Sequence, residues 1–169
     1  MNTLNNTIDI RNAVFGDIQL IQDMAQVVFP HTYGKIISKQ QIAYMLEMMY
    51  STQALEIQIF DGKPFVIAEM DGEGVGFASF GQKAQSLYRL HKLYVLPNIQ
   101  QKGTGKLLLK EVIRQVVELG GKQLELNVNK YNKAVGFYQK MGFAITDTID
   151  LNIGNGYFMN DYIMTLELG

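Results

Sequence analysis

The sequence predicts an α/β (α+β) fold, in which a mixed β-sheet carries helices on its faces. Two short apolar runs, Phe65–Met70 and residues 75–80, flank an Asp-Gly-Glu-Gly turn and are expected to pair as an antiparallel hairpin. An amphipathic helix separates Leu87–Val95 from the next alternating run, so these two strands are expected to be parallel. Antiparallel and parallel pairs in one chain indicate a mixed sheet.

Length and composition are those of an ordinary globular domain. The chain has 169 residues, 47% hydrophobic and 18% charged, and we expect a single domain spanning residues 1–169. A net charge of −1 predicts neither a nucleic-acid partner nor an anionic membrane surface. The lack of cysteine excludes disulfides and thiolate metal sites, and no metal is expected. Without a long apolar run or a signal-peptide pattern, a cytoplasmic location is expected.

The first predicted elements are a strand and a helix. Ile8 and Ile10 alternate with polar residues, which is typical of a strand. Asp17 is the candidate N-cap of the helix, and Pro30 is expected to end it. The apolar positions of this helix recur at helical spacing: Ile21, Met24, Ala25 and Val28.

Two further helices are expected before the hairpin. Ser38 and Gln41 form a capping-box pattern at the start of the first, whose apolar face is Ile42, Met45, Leu46 and Met49. Residues 51–60 fit a strand or a helix by periodicity. The helix is favoured because Ser51 is a good N-cap and Gly62 would close it.

The C-terminal half continues with a helix to about Leu119, stopped by Gly120 and Gly121. Its predicted buried stripe is Leu108, Leu109, Val112, Ile113, Val116 and Val117. A strand around residues 124–128 follows. Asn132 is expected to cap a last helix that carries Tyr138, and residues 143–149 and 157–168 are expected to be two final strands.

Residues 100–105, Gln-Gln-Lys-Gly-Thr-Gly, form a glycine-bearing turn between the strand Leu87–Val95 and its helix. Such a turn exposes backbone N–H groups at the positive end of a helix dipole, which suits a phosphate group. A P-loop is excluded because Leu107 follows Lys106, and a dinucleotide fingerprint because position 108 is leucine. The pattern alone fits an anion site and a plain strand–helix turn equally well.

Two motifs resemble those of the Gcn5-related N-acetyltransferase (GNAT) superfamily. The first is Leu-Tyr-Val-Leu-Pro at residues 93–97, followed by Gln-x-x-Gly-x-Gly at residues 100–105. The second comprises Asn132, Ala134, Tyr138, Gly142 and Phe143. The order of predicted elements also matches, so the resemblance covers nearly the whole chain. Residues 126–143 and 153–164 further resemble a bacterial branch that includes polyamine (spermidine/spermine) acetyltransferases.

This resemblance implies a central sheet that splays at the acetyl-CoA site, with acetyl-CoA as co-substrate. The pantetheine arm is expected to pair with the strand backbone, as an added strand would, at Leu93, Tyr94 and Val95. The turn is expected to hold the pyrophosphate through Gln100, Gln101, Lys102, Gly103, Thr104, Gly105 and Lys106. Asn132 is expected to contact CoA, with Asn129 as the alternative because the asparagine-to-alanine spacing is shorter here than in many members.

The implied reaction is attack of a primary amine on the thioester. Tyr138 matches the family position of the acid that protonates the leaving sulfur, whereas its pattern alone also fits a core tyrosine. The strand before the turn carries no carboxylate, so His91 is the candidate base, with a structural histidine as the alternative. His31 and Tyr33 are placed in the loop between the first two helices, where they would shape the acceptor pocket.

A small primary amine, such as a polyamine, is the expected acceptor. A polyamine needs carboxylates, for which Asp147, Asp150 and Asp161 are candidates, but solvated edge residues are the favoured interpretation of all three. The alternatives are a protein or peptide N-acetyltransferase and a non-catalytic acyl-CoA-binding sensor domain. The resemblance is also compatible with a homodimer formed through the C-terminal strands.

Overall fold

The computed structural model describes residues 7–99 and 103–169, and the elements named here lie in those ranges. The strands are β1 (Ile8–Asn12), β2 (Phe65–Met70), β3 (Glu73–Ala84), β4 (Leu87–Val95), β5 (Gln123–Asn129), β6 (Ala144–Gly154) and β7 (Tyr157–Glu167). The helices are α1 (Ile18–Tyr33), α2 (Lys39–Tyr50), α3 (Thr52–Phe60), α4 (Thr104–Glu118) and α5 (Ala134–Lys140), with a 3-10 turn at Phe15–Asp17.

One sheet of seven strands connects these elements in the order β1-β2-β3-β4-β5-β7-β6. Strands β4 and β5 are parallel, and the other neighbouring pairs are antiparallel. The mixed sheet, the β2–β3–β4 meander and the parallel pair across α4 are therefore confirmed. None of the helices in the described part of the chain has the length and apolarity to cross a membrane.

Helices cover both faces of the sheet, as predicted, and each face has its own hydrophobic core. Alternate residues of β2 point to opposite faces. Phe65 and Ile67 pack in the core beneath α1, α2 and α3. Val66 and Ala68 pack in the core beneath α4 and α5. The sheet thus separates the N-terminal helices from the glycine turn and α4.

Local capping signals determine where α2 and α3 begin. Ser38 Oγ accepts a hydrogen bond from the Gln41 backbone N–H at 3.1 Å. Ser51 Oγ accepts one from Ala54 at 3.1 Å, which settles the ambiguous segment as a helix. The expected capping box at α2 forms only in part, because the Gln41 side chain donates to the Phe158 carbonyl oxygen instead.

For α1, the expected end is wrong and the expected N-cap is confirmed in position only. Pro30 does not end the helix, which continues to Tyr33, because Phe29 and Tyr33 are buried and hold the last turn against the core. Asp17 precedes the helix, but its carboxylate does not cap it. Instead the carboxylate accepts from the Val14 N–H and pairs with Arg11 at 2.8 Å.

Gly76 of β3 allows α4 to pack closely on the sheet. A Cβ atom at this position would lie 2.9 Å from the Tyr94 carbonyl oxygen and 3.2 Å from the Leu108 side chain. The expected close approach at Gly76 is therefore confirmed.

We predict that Gly76→Ala lowers the free energy of unfolding by about 1–3 kcal/mol, because a backbone oxygen cannot move aside without shifting β4. Urea unfolding followed by circular dichroism measures the change. Gly16→Ala is the matched control, since a Cβ there meets nothing within 4 Å, and its effect should stay within about 0.5 kcal/mol. Equal effects of the two substitutions would contradict the packing argument.

Candidate active site

The parallel strands β4 and β5 separate partway along their length. Their pairing begins with Leu87 opposite Gln123 and ends with Leu90 opposite Leu126. Strand β4 then continues to Val95 and β5 to Asn129 without pairing to each other. A gap therefore opens at residues 91–94 of β4, where the resemblance placed the acetyl-CoA site. Its position confirms the expected splay of the sheet.

Helix α4 begins at one end of this gap. Gly103, with a φ of +74°, directly precedes it and offers no side chain to cap the helix. Thr104 is fully buried, and its Oγ1 has no hydrogen-bond partner among the described residues. An uncapped helix start with a spare hydroxyl fits an anionic group.

The rest of the turn is described in part. A Cβ on Gly105 would lie 3.7–3.8 Å from Phe137, Leu93 and Val95, so the start of α4 is packed between β4 and α5. Lys106 is exposed at the protein surface. The predicted contacts of Gln100, Gln101 and Lys102 lie outside the described residues.

Two tyrosines meet on the opposite face of the sheet, beneath α1. The hydroxyl groups of Tyr33 and Tyr94 are 2.8 Å apart. The Phe29 ring packs against both, with ring centroids 5.1 Å and 5.2 Å away. Burial raises the pKa of both phenols, and the charge of Asp161 raises it further. The predicted residue Tyr94 is thus in contact with Tyr33, which lies in α1 and not in a loop.

Tyr138 extends from α5 into the core, where it is 6% exposed. Its ring contacts Phe137 and Phe143, with centroids 5.2 Å and 5.6 Å away. Burial raises the pKa of Tyr138, and its hydroxyl makes no hydrogen bond to the residues that the structure describes. The ring is therefore held by packing while the hydroxyl keeps its donor available.

Asp161 is a buried carboxyl group whose setting the favoured sequence interpretation missed. The prediction of a solvated edge residue is wrong for Asp161, which is 6% exposed because β7 lies inside the sheet between β5 and β6. Asp147 and Asp150, on the edge strand β6, are exposed as predicted. Burial raises the pKa of Asp161 to about 6. Nothing in the local sequence distinguishes these three aspartates.

His91 lies among cations on β4. A Cβ on Gly81 would be 3.3 Å from its Nε2, so the imidazole reaches across towards β3. Although the residue as a whole is exposed, burial of the ring, followed by the charges of Lys92, Lys63 and Arg89, lowers the pKa of His91 to about 4. No described contact links His91 to the tyrosines.

Lys92 is a second residue that sequence reasoning missed. Its Nζ lies 5.4 Å and 5.6 Å from the ring centroids of Tyr50 and Phe65 and donates to Gln58 Oε1 at 2.5 Å. Burial, followed by the charge of Lys63, lowers the pKa of Lys92 to about 8. This ammonium group is therefore occupied by contacts with α3 and the aromatic core.

Both candidate asparagines use their side chains in local turns. Asn132 Oδ1 accepts from the Ala134 N–H at 2.9 Å, but the N-cap position of α5 is Lys133, one residue later than predicted. Asn129 Oδ1 accepts from the Tyr131 N–H at 2.9 Å. A CoA contact by either residue would use its amide nitrogen, and the assignment to Asn132 stays a prediction.

Helix α2 packs against the β6–β7 hairpin, on the same side as Tyr33 and Asp161. Tyr44 Oη donates to the Ile153 carbonyl oxygen at 2.8 Å, and its ring lies 5.4 Å from that of Tyr157. Glycine is favoured at position 154 by its φ of +92°, and a Cβ there, 2.5 Å from Tyr44 Oη, would displace the Tyr44 hydroxyl. These contacts join α2 to the end of the β6–β7 hairpin.

The surface also contains a polar cavity of about 380 Å³ between α1 and α2. Two of its glutamines are already engaged: Gln19 donates to Asp23 at 2.8 Å, and Gln22 donates to the Tyr50 carbonyl oxygen at 2.9 Å. Because none of its lining residues belongs to either motif, we place the candidate active site at the gap instead.

Comparison with known proteins identifies the family of the chain. The sequence profile of the acetyltransferase (GNAT) domain matches residues 35–162, about three quarters of the chain. The chain belongs to the GNAT acetyltransferase family. Its predicted activity class, an acetyl-CoA-dependent N-acetyltransferase, and its predicted co-substrate, acetyl-CoA, are thereby confirmed.

Individual relatives agree with membership in the GNAT family. The chain is 28% identical over 151 residues to a spermidine N(1)-acetyltransferase from Thermoplasma acidophilum, covering 84% of this chain and 91% of that protein. It is 30% identical over 96 residues to the L-amino acid N-acyltransferase MnaT of Escherichia coli, covering 54% and 56%. The PaiA N-acetyltransferase of Thermoplasma acidophilum, solved with coenzyme A, superposes with a TM-score of 0.84 at 26% identity, covering 95% and 99%.

For this GNAT protein we predict that Tyr33→Phe and Tyr94→Phe each lower the free energy of unfolding by about 1–3 kcal/mol. Each change leaves the other hydroxyl buried without its partner, which costs more than the bond itself contributes. The double variant should therefore lose less than the sum of the single losses. Urea unfolding of the wild type, the two single variants and the double variant measures these free energies. Strictly additive losses would show that the two hydroxyls do not interact.

Proposed function

We propose that this acetyltransferase transfers the acetyl group of acetyl-CoA to a primary amine on a small molecule, with a polyamine as the first candidate. The observation that carries the proposal is the gap between β4 and β5, which has an uncapped helix start at one end and buried tyrosines with a carboxyl group on the other face. The two curated relatives described above support a small acceptor, since both are named for small amines.

Acetyl-CoA is expected to lie along β4 with its pyrophosphate at the start of α4. Backbone groups of Leu93, Tyr94 and Val95 would pair with the pantetheine arm, as an added strand pairs with a sheet edge. The N–H groups at Gly103 and Thr104 begin a helix of 15 residues, whose first turn contains no acidic side chain. An anion is favoured there by the helix dipole.

The reaction joins the amine nitrogen to the acetyl carbon and breaks the bond between that carbon and sulfur. An alkylamine with a pKa near 10.4 is mostly protonated at pH 7, and reaching the neutral form costs about 4.6 kcal/mol. The site must therefore accept a proton from nitrogen and supply one to the departing thiolate. These are two separate tasks for two separate groups.

Tyr138 is proposed to supply the proton to sulfur. The raised pKa of Tyr138 keeps its hydroxyl protonated until the thiolate forms. Burial would also raise the pKa of the CoA thiol, so the thiolate would accept this proton more readily. The lack of a described hydrogen-bond partner leaves its single donor for this purpose.

The base predicted from the sequence is His91, and its surroundings make it a weak candidate for this proton. With a pKa of about 4 its imidazole is neutral at pH 7 and can accept a proton, but it would hold that proton weakly. Its surroundings of lysine and arginine also repel an incoming ammonium group.

The cellular setting is part of the same proposal. We propose that residues 1–169 act as one acetyltransferase domain in the cytoplasm. A homodimer through the C-terminal strands would use β6, an edge strand of 11 residues that is largely exposed.

We predict that acetyl-CoA at 100 times its Kd raises the melting temperature by roughly 5–10 °C, because binding adds about 2.7 kcal/mol to the free energy of unfolding.

The acceptor is identified by measuring thiol release with spermidine, spermine, a lysine peptide and an amino sugar. The chain has no cysteine, so all new thiol comes from CoA. A polyamine should give the highest kcat/KM. A lysine peptide as best acceptor would indicate a protein acetyltransferase, and binding without amine-dependent release would indicate a sensor domain.

We predict that Tyr138→Phe lowers kcat by about 10²–10⁴-fold, because the proton donor to sulfur is lost. The ring contacts with Phe137 and Phe143 remain, so the melting temperature and its increase with acetyl-CoA should be unchanged. Tyr88→Phe is the matched control, a buried tyrosine in the same core. Unchanged turnover of Tyr138→Phe would remove the proposed acid role.

A further inference from the structure

Asp161 presents a buried acceptor atom that the fold itself does not use. Its Oδ1 is enclosed and has no hydrogen-bond partner among the described residues. Burial is the cause of its raised pKa, and no described cation contributes to that shift. A buried carboxyl group without a partner costs stability, so its retention points to a ligand that supplies the missing donor.

Asp161 lies within electrostatic range of two described phenols. Its charge raises the pKa of both Tyr33 of α1 and Tyr94 of β4. Tyr138 of α5, the proposed acid, lies within electrostatic range of the same two hydroxyls. His91, by contrast, shares no described contact with these groups.

Asn127 provides a second unused acceptor on the same face of the sheet. It is the first residue of β5 beyond the last pair with β4, and its enclosed Oδ1 also has no partner in the described part of the chain. Asn129 of β5 is directly opposite Asp161 of β7. Asn127 and Asp161 are thus diagonal neighbours, about 7–8 Å apart in such pairs.

A ligand with several N–H donors would satisfy both oxygens. An alkylammonium group has three donors and a positive charge, and it matches one carboxylate and one amide oxygen. An α-amino acid fits less well, because its own carboxylate would lie next to that of Asp161. The two acceptors therefore favour amines without an adjacent carboxylate.

We propose that Asp161, assisted by Asn127, binds the ammonium group of the acceptor and takes the proton that nitrogen must lose before it attacks acetyl-CoA. This inference rests on the proposed function. The nitrogen loses two protons on the way to the amide: the first goes to Asp161 Oδ1 and then to solvent. Tyr138 gives its proton to sulfur as the carbon–sulfur bond breaks, and the second proton from nitrogen restores Tyr138.

The test compares Asp161→Asn with Asp150→Asn, an exposed aspartate on the neighbouring strand. Asp161→Asn should lower kcat/KM for spermidine by about 100-fold or more and remove the acidic limb near pH 6 from the pH–rate profile. Asp150→Asn should change neither. Asn127→Ala should raise KM more than it lowers kcat. His91→Ala should leave the acidic limb in place.

Two readouts do not depend on turnover. Binding of 1,5-diaminopentane, measured by calorimetry without acetyl-CoA, should be weakened at least tenfold by Asp161→Asn and unchanged by Asp150→Asn.

The second readout is the dependence of folding stability on pH. Because the pKa of Asp161 is raised in the folded protein, its stabilising contribution is complete below the ordinary aspartate pKa and is lost as pH rises through about 6. Asp161→Asn should remove this loss, so its melting temperature above pH 6 should not fall below that of the wild type.

The outcomes separate the two proposals. An unaltered acidic limb in Asp161→Asn, or its loss in His91→Ala, would overturn the role of Asp161. Equal diamine binding by Asp161→Asn and the wild type would overturn it too. Diamine binding that depends on Asp161, in a protein that acetylates no amine, would refute the proposed function while supporting the ammonium site.

Discussion

The divergence of β4 from β5 after Leu90 is the constraint around which the protein is arranged. A parallel pair normally continues its ladder, and ending it early leaves backbone groups that another partner must satisfy. The chain stabilises the separation from both sides. Helix α4 packs closely over β3 at Gly76, while α1 places Phe29 and Tyr33 against Tyr94 on the opposite face. The gap is thus held open by two independent cores.

Unsatisfied polar atoms concentrate around this gap. Four enclosed side-chain atoms have no hydrogen-bond partner among the described residues. Three of them belong to Thr104 at the start of α4, Asn127 where the pairing of β4 with β5 ends, and Asp161 on the adjacent strand β7. Each costs about 1–3 kcal/mol in a free protein. Folding stability is therefore lowered at the place where two substrates would supply the missing partners, which is the usual trade-off between stability and activity.

Local signals allowed most of the fold to be predicted. Ser38 and Ser51 hydrogen-bond within their own helical turns, so their sequence neighbours were sufficient. Pro30 and Asp161 were misjudged because their settings depend on distant residues: the last turn of α1 is held by the core, and β7 is an interior strand only because β6 covers it. Tyr138 was found through its motif, whereas the Tyr33–Tyr94 contact spans 61 residues and has no sequence signal.

The contact of α2 with the β6–β7 hairpin has a consequence for how such an enzyme can change during evolution. Tyr44 and Ile153 are 109 residues apart in sequence, yet their hydrogen bond joins α2 to the β6–β7 hairpin. The residues proposed to serve acetyl-CoA, from Leu93 to Tyr138, come instead from one continuous stretch. Under the proposed function, substitutions in α2 and in the hairpin can change the acceptor preference while that stretch stays intact, so a lineage can acquire new substrates without rebuilding its chemistry.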